Sequence, residues 1–275
     1  MRLKISHTTE YGYASLMPYA LQRVRLLPRS GPTQNVLSWV IDFEGAREEV
    51  RFNDQFNNDT RLLSASGAAR SIAIRASGEI DTKDTGGVSG PHTGFAPLWL
   101  FTSETALTAA GKQVNALARS VKQSDEIERL HALMQAIGER VAYLIGSTDA
   151  ETNAETALEQ KQGVCQDHAH IFIAAARLLG FPARYVSGYL LLDDRVDQVA
   201  SHAWAEAYVE GLGWVSFDPS NGMCPDERYV RLAIGRDYRD AMPTSGILLG
   251  HAIERLDVRI TVEQMGSGNG QQQNQ

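Results

Sequence analysis

Cysteine is scarce in this chain, whose 275 residues include only Cys165 and Cys224. Two cysteines are too few for the disulfide framework of a small secreted domain, and their number suits a reducing compartment. Long hydrophobic runs are also missing. No stretch approaches the roughly 20 apolar residues of a membrane span, and the first residues lack an apolar run of signal-peptide length. We therefore expect a cytoplasmic protein without a membrane partner.

Positive charge is in the minority. Lysine and arginine number 26 against 33 aspartate and glutamate residues, which gives a formal net charge of −7. The sequence contains no basic run and no stripe of Lys and Arg with interleaved aromatics, so it lacks the electrostatic footprint of nucleic-acid binding. Arg23, Arg25 and Arg29 alternate near the N terminus, a pattern typical of a solvated strand face. We expect no nucleic-acid partner.

Hydrophobic residues make up 43% of the chain, which is enough for two domains with their own cores. Short alternating runs from Leu3 to Ile80, separated by Pro, Gly and Asn turns, predict an antiparallel β-sandwich. Helical patterns follow at roughly 103–120 and 125–141, and a last strand at 256–262. The predicted units are an N-terminal β-sandwich domain at 1–81, a glycine-rich linker at 82–94, a second domain at 95–265 and a flexible tail at 266–275.

Cys165, His202 and Asp218, in this order, carry the strongest chemical signal. Cys165 follows Gly163-Val164 and opens a segment whose apolar residues recur at helical spacing, so we expect its sulfur in the first turn of a helix. There the unpaired N–H groups and the positive end of the helix dipole lower the pKa of a thiol, and the thiolate is the nucleophile. The backbone N–H of Cys165 is also a candidate donor to an oxyanion.

His202 and Asp218 lie on two predicted strands, 200–209 and 213–218, joined by a glycine-bearing turn. A three-residue loop at 209–211 places the two side chains directly opposite each other, close enough for the carboxylate to orient the imidazole. A loop at 211–213 instead places Asp218 opposite Glu206, roughly 13 Å along the strand from His202. The residues alone leave both registers open.

A zinc site is the rival interpretation, because Cys165, His168, His170, His202 and Asp218 are all residue types that bind zinc. His168 and His170 are two apart on the predicted helix, however, and diverge by about 200°, so both cannot face one ion together with Cys165. We therefore expect no metal. His168 shares the helix face of Cys165 and is predicted to be a packing group.

Four stretches around these residues are distinctive: 163–170 (GVCQDHAH), 182–189 (PARYVSGY), 202–208 (HAWAEAY) and 213–219 (GWVSFDP). They resemble the bacterial transglutaminase-like cysteine peptidase group, within the wider papain-like superfamily of Cys-His-Asp enzymes. Three N-terminal stretches resemble the β-domain that precedes the core in this group: 11–13 (YGY), 25–29 (RLLPR) and 54–58 (DQFNN). Asn57 stands where such domains more often carry glycine. The resemblance implies an α+β protein in which the β-sandwich precedes a papain-like core, with a catalytic helix packed on an antiparallel sheet.

The resemblance also assigns roles within the second domain. Cys165 is the nucleophile, His202 the general base and acid, and Asp218 the residue that orients the imidazole. It implies no metal and no organic cofactor. Trp204 and Trp214 are predicted to wall the substrate cleft or else to fill the core.

An oxyanion hole usually needs a second donor besides the Cys165 N–H. The sequence offers Tyr143, Gln160 and Gln162 upstream, and their spacing does not choose among them.

The expected chemistry is acyl transfer on a peptide or protein amide. A thiolate attacks the carbonyl, the amine leaves with a proton, and the thioester passes to an acceptor. Hydrolysis, with water as acceptor, is the expected activity and describes a cysteine peptidase or amidase. A protein-glutamine transglutaminase, with an amine acceptor, is the first alternative, and a non-catalytic peptide-binding module is the second. The sequence does not indicate an oligomeric state.

Overall fold

The computed structural model describes residues 1–13, 19–66, 70–193, 195–249 and 254–265, and the predicted tail at 266–275 lies outside them. Its strands are β1 (Arg2–Tyr13), β2 (Tyr19–Val24), β3 (Gln34–Glu44), β4 (Arg47–Asn53), β5 (Asp59–Ser66), β6 (Ser71–Thr82), β7 (Val88–Gly90), β8 (Ala142–Tyr143), β9 (Gln162–Gly163), β10 (Ala183–Leu190), β11 (Asp197–Gln198), β12 (His202–Val209), β13 (Gly213–Phe217), β14 (Tyr229–Gly235), β15 (Thr244–Leu249) and β16 (Glu254–Gln264). Its helices are α1 (Lys112–Ser120), α2 (Glu126–Arg140), α3 (Ala154–Gln160), α4 (Cys165–Leu178) and α5 (Tyr238–Ala241).

The N-terminal strands form a sandwich of two antiparallel sheets. In β1 every second residue from Leu3 onward is buried, as a strand with one core-facing side requires. One sheet has the order β11-β16-β1-β6-β3 and the other β15-β2-β5-β4. The apolar core between them includes Leu3, Val24, Leu63 and Val262. The predicted β-sandwich is confirmed.

The sandwich takes strands from the end of the chain as well as its beginning. β16 pairs antiparallel with β1 over its whole length, and β15 pairs with β2. The sequence pattern predicts these residues within the second domain, whereas their hydrogen bonds are to the N-terminal strands. The pattern identifies β16 as a strand but carries no information about its partner, because alternation only reports that one face is buried.

The second half is a five-stranded antiparallel sheet in the order β14-β10-β12-β13-β7, with α4 packed on one face. Every residue from Asp167 to Ala176 is buried, since the sheet covers one side of α4 while α1, α2 and α3 cover the other. The predicted α+β class, with a helix packed on an antiparallel sheet, is confirmed. None of the helices in the described ranges is long and apolar enough to cross a membrane.

Two boundaries differ from those predicted. β7 lies inside the predicted linker 82–94 and pairs with β13, so part of that stretch is the edge strand of the core sheet. The first helix begins at Lys112, because residues 98–102 and 106–108 form short 3-10 turns instead. The carboxylate of Glu155 in α3 accepts three N–H groups at the start of α1 and fixes this helix end.

The hairpin between β12 and β13 has a register that differs from both predicted ones, which place the loop at 209–211 or at 211–213. Val209 pairs with Gly213, so the loop is 210–212. Val209 is too deeply buried to lie in a loop, and a Cβ at Gly213 would stand 2.3 Å from the Gly90 carbonyl oxygen of β7. Continued past the end of β13, this register would bring residue 220 opposite His202. Asp218 lies two residues before that position, which makes it a diagonal neighbour of His202, with Cα atoms roughly 7–8 Å apart.

The arginines near the N terminus do not form a solvated face. Arg25 is buried and pairs with Asp54 at 2.8 Å, and Arg29 donates to Asn57. Arg23 is exposed, as predicted. Asn57 has a φ of +67°, the left-handed conformation that explains why glycine suits this position in related domains.

Candidate active site

Cys165 is the first residue of α4, as the sequence predicts, and its thiol is free and half-buried. The preceding turn is held in place by Asp167, whose carboxylate accepts the Val164 N–H at 2.7 Å and the Thr148 hydroxyl at 2.6 Å. Gly163 is needed here because a Cβ would lie 2.7 Å from the Cβ of Asp167. The sulfur therefore occupies the positive end of a helix dipole at a fixed position.

His202, the first residue of β12, joins the other two side chains. Its Nε2 lies 2.6 Å from Oδ2 of Asp218, which leaves Nδ1 available to exchange a proton with the Cys165 thiol. Burial lowers the pKa of His202, but the Cys165 sulfur and the Asp218 carboxylate outweigh burial and raise this pKa to about 10. The arrangement favours the charged imidazolium at neutral pH, paired with the ionised carboxylate of Asp218.

Asp218 is fully buried and surrounded by donors. Besides His202, its oxygens accept the backbone N–H and hydroxyl of Ser220 at 3.0 and 2.6 Å, the side-chain amide of Asn221 at 2.7 Å and the hydroxyl of Tyr229 at 2.9 Å. Burial raises the pKa of Asp218, but these bonds, led by that to His202, lower it to about 2. The carboxylate thus stays ionised across the physiological pH range.

Ser220, Asn221 and Tyr229 were missed by the sequence analysis. A signal exists for Ser220 and Asn221, because an aspartate that starts a turn commonly accepts backbone N–H groups two and three residues later. The contact with Tyr229 has no local signal. It depends on β14 lying next to β10 in the sheet.

Two aromatic rings fix the plane of the imidazole. Trp204 stacks on His202 with ring centroids 6.2 Å apart and planes inclined by 28°. Tyr229 lies 5.8 Å from the same ring and 5.5 Å from that of Trp204. Trp204 is buried, so its contact is with the histidine, and we infer that it orients His202.

Trp214 does not line a cleft with these residues. Its side chain is 0% exposed and packs against Phe101, with ring centroids 5.2 Å apart. The guanidinium of Arg184 lies 3.9 Å from the centre of the indole. Of the two positions expected for Trp214, the cleft wall and the core, the structure places the indole in the core.

Tyr143 is the candidate oxyanion donor that the structure places at the sulfur. The parallel pairing of β8 with β9 aligns it with Gly163, two residues before Cys165, and its hydroxyl is near enough to the sulfur for the two groups to interact electrostatically. Burial, followed by the charges of nearby anionic groups, raises the pKa of Tyr143 to about 12, so the hydroxyl keeps its proton. The other two candidates, Gln160 and Gln162, end α3 and begin β9.

His168 and His170 are buried on different sides of α4. The ring nitrogens of His168 lie 2.9 Å from the carbonyl oxygen of Val164 and 3.1 Å from that of Val141, which ties the start of α4 to the strand of Tyr143. His170 accepts the Tyr238 N–H at 3.1 Å. Across the described ranges, no group of three or more His, Cys, Asp or Glu side chains is arranged to hold a metal ion.

The two thiols are expected to react at different rates. Both thiols are half-buried, but burial raises the pKa of Cys224 to about 11, so its thiolate is rare near neutral pH, whereas Cys165 lies beside an imidazolium. We expect iodoacetamide at pH 7.5 to alkylate Cys165 at least about 100-fold faster than Cys224, measured by peptide mass spectrometry. His202→Ala should slow only Cys165. Equal rates at the two thiols in the parent protein would contradict the expectation.

Comparison with known proteins assigns both halves of the chain. Residues 115–219, which include all three residues of the Cys-His-Asp series, match the model of the transglutaminase-like superfamily, and residues 3–81 match the bacterial transglutaminase-like N-terminal region. An uncharacterized protein of Mycobacterium leprae is 27% identical over 278 residues, covering 96% of this chain and 99% of that protein. A protein-glutamine gamma-glutamyltransferase of Pseudomonas aeruginosa is 29% identical over 124 residues, covering 38% of this chain and 18% of that enzyme.

The same architecture occurs in a crystal structure of a proposed cysteine protease from Cytophaga hutchinsonii. It superposes with a TM-score of 0.74 at 23% identity and covers 97% of this chain and 92% of the other. The shared fold includes both the β-sandwich and the core sheet, so the resemblance seen in the sequence motifs is confirmed. The chain joins a bacterial transglutaminase-like N-terminal region to a core of the transglutaminase-like superfamily.

Proposed function

We propose that this protein is a thiol-dependent acyl-transfer enzyme that hydrolyses amide bonds of peptide-like substrates, with Cys165 as nucleophile, His202 as general acid and base, and Asp218 as the residue that orients the imidazole. The observation that carries the proposal is that His202 stands between Cys165 and Asp218: its Nε2 lies 2.6 Å from the carboxylate, and the sulfur at the start of α4 is near enough to raise the pKa of the imidazole. A thiol, a base and a carboxylate that orients the base are the groups that covalent catalysis by a thiol requires.

The proposed reaction has two halves. The Cys165 thiolate attacks the amide carbonyl carbon, and the oxyanion that forms accepts hydrogen bonds from the Cys165 N–H and the Tyr143 hydroxyl. The imidazolium of His202 gives its proton to the departing amine, which leaves a thioester on Cys165 and a neutral imidazole. In the second half this imidazole takes a proton from water as the water oxygen attacks the thioester carbon. The bond between carbon and sulfur then breaks, which releases the carboxylic acid and restores the Cys165 thiolate beside the imidazolium of His202.

Asp218 contributes without exchanging a proton. Its low pKa keeps it ionised while His202 cycles between charged and neutral forms, so the carboxylate stabilises the imidazolium and fixes Nε2 as the protonated nitrogen of the neutral ring. Nδ1 is then free to accept the proton at the sulfur.

Amine transfer is the second candidate. The observation that favours it is the match of 124 residues to a protein-glutamine gamma-glutamyltransferase. The two activities share the thioester and differ in the acceptor, so both use the same three residues.

A cytoplasmic location is part of the proposal. Both cysteines are free, which suits thiol chemistry in a reducing compartment.

Capturing the thioester tests the proposal and separates the candidates. The protein is incubated with a peptide library, quenched in acid and analysed by mass spectrometry for an adduct on Cys165. Release by water alone supports hydrolysis, whereas faster release with a labelled primary amine, together with amide-linked label, supports amine transfer. The Cys165→Ala variant is the blank. A library that forms no adduct on Cys165 but binds the protein saturably would favour a non-catalytic peptide-binding module and contradict the proposal.

Tyr143→Phe is expected to lower kcat by about 10²-fold with little change in KM, because it removes one of two oxyanion donors while keeping the ring. The measurement is a steady-state comparison on the peptide identified from the acyl-enzyme. Alkylation of Cys165 should persist in this variant, since the thiol and His202 remain in place. A kcat equal to that of the parent would exclude Tyr143 as the donor.

A further inference from the structure

A cavity of about 270 Å³ lies where the N-terminal half meets the core sheet. Its walls come from the segment before β3, the loop after β4, the end of β7 and the strands β10 and β14. Among the described residues, none of Cys165, His202 and Asp218 lines it. It opens on the face of the core sheet opposite α4, where Arg184 and Glu206 lie, whereas Ala183 and Tyr185 of the same strand face the helix.

The lining of this cavity is strongly positive. Arg29, Arg184 and Arg231 contribute to it, and the described lining residues include no aspartate or glutamate. One carboxylate lies behind the wall: Glu206 pairs with Arg184 at 2.5 Å and with Arg231 at 3.5 Å. Two of the three guanidinium groups therefore share a single carboxylate and the third has none within the described residues, in a chain whose net charge is −7.

The arginines are held in place rather than free in solvent. Arg184 is buried, with its guanidinium 3.9 Å from the centre of the Trp214 ring, and although burial lowers its pKa, the value of about 10 keeps it charged at neutral pH. Arg29 donates to the carbonyl and side-chain oxygens of Asn57 at 2.8 and 3.0 Å.

Ion pairing within the protein balances only part of the positive charge around the cavity. The pair of Arg184 and Glu206 is balanced and would satisfy the buried face without help. Arg231 adds a second positive charge to the same carboxylate, and within the described part of the chain no carboxylate pairs with Arg29. Gathering like charges around a partly enclosed cavity is unfavourable unless an anion compensates them.

We propose that this cavity is a binding site for a small anion that carries carboxylate or phosphate groups, separate from the Cys-His-Asp series. Guanidinium groups fixed in a fork geometry recognise both kinds of oxyanion. The volume limits the ligand to the size of a small polycarboxylate or a phosphate ester, and a polymer chain would not fit.

Isothermal titration calorimetry with inorganic phosphate and, separately, with citrate tests the site at constant ionic strength. We expect saturable binding of at least one anion with one-to-one stoichiometry; phosphate alone would identify a phosphate ligand and citrate alone a carboxylate. Arg29→Gln and Arg231→Gln should each weaken binding by about tenfold or more. Cys165→Ala should bind as the parent does, which makes the result independent of catalysis.

Arg75→Gln is the matched control. Arg75 is exposed, pairs with Glu44, and lies seven residues along β6 from Thr82, the end of the strand near the cavity, or roughly 23 Å away. Arg75→Gln should leave the affinity for phosphate and citrate unchanged. Saturable binding by neither anion would overturn the proposal, as would equal losses in Arg75→Gln and Arg29→Gln. Arg29 is exposed, so Arg29→Gln is expected to fold. This variant therefore tests the proposal even if Arg231→Gln fails to fold.

Discussion

Replacing Cys165 by alanine is expected to reduce turnover of the trapped substrate at least about 10⁴-fold, because no other group in the site can form the thioester. Stability should change little. The side chain is half-buried, and alanine is the best residue for a helix interior. The measurement is kcat for Cys165→Ala beside the parent, with circular dichroism and thermal unfolding to show that the fold persists.

Cys224→Ala is the matched control for this experiment, since it removes a thiol that is also half-buried but lies outside the Cys-His-Asp series. It should keep turnover close to that of the parent. Turnover in Cys165→Ala comparable to that in Cys224→Ala would disprove the assignment of the nucleophile.

Replacing Asp218 by alanine is expected to have two large effects. Turnover should fall by about 10³–10⁴-fold, because His202 loses the acceptor that sets its tautomer and stabilises its charge. The free energy of unfolding should fall by roughly 3–5 kcal/mol, because the charged imidazole of His202 and the buried hydroxyl of Tyr229 lose their partner. Steady-state kinetics and urea unfolding measure the two effects separately.

Asp237→Ala separates loss of chemistry from loss of stability. Asp237 is also buried and caps α5, so its removal should cost about 1 kcal/mol while turnover is retained. Asp218→Asn keeps an oxygen acceptor and should recover part of the activity lost in Asp218→Ala. If Asp218→Ala turned over substrate as fast as Asp237→Ala, Asp218 would have no role in orienting the base.

Local features of the site were predictable from the sequence. The start of α4 follows from the glycine before Cys165 and the apolar spacing after it, and both are signals within one helix. The proximity of His202 to Asp218 also follows from strand alternation, because residues on one face of a hairpin remain neighbours under a two-residue offset.

The register itself was not predictable. It depends on Val209 being buried in the core and on the close approach of β7 to Gly213. β7 in turn lies in a stretch whose composition predicts a linker. The burial of Trp214 depends likewise on Phe101 and Arg184, which are remote in sequence. Such contacts arise from tertiary packing, which the periodicity of the sequence does not report.

Pairing of β1 with β16 has a consequence for how the chain is made. Leu3 pairs with Gln264, so β1 leaves the ribosome long before its neighbour β16 has been synthesised. Until then β1 has one unpaired edge, which it can present to other chains. Contacts so distant in sequence also slow folding, since a long loop must close before the pairing stabilises it. The N-terminal half is therefore completed after the core rather than before it.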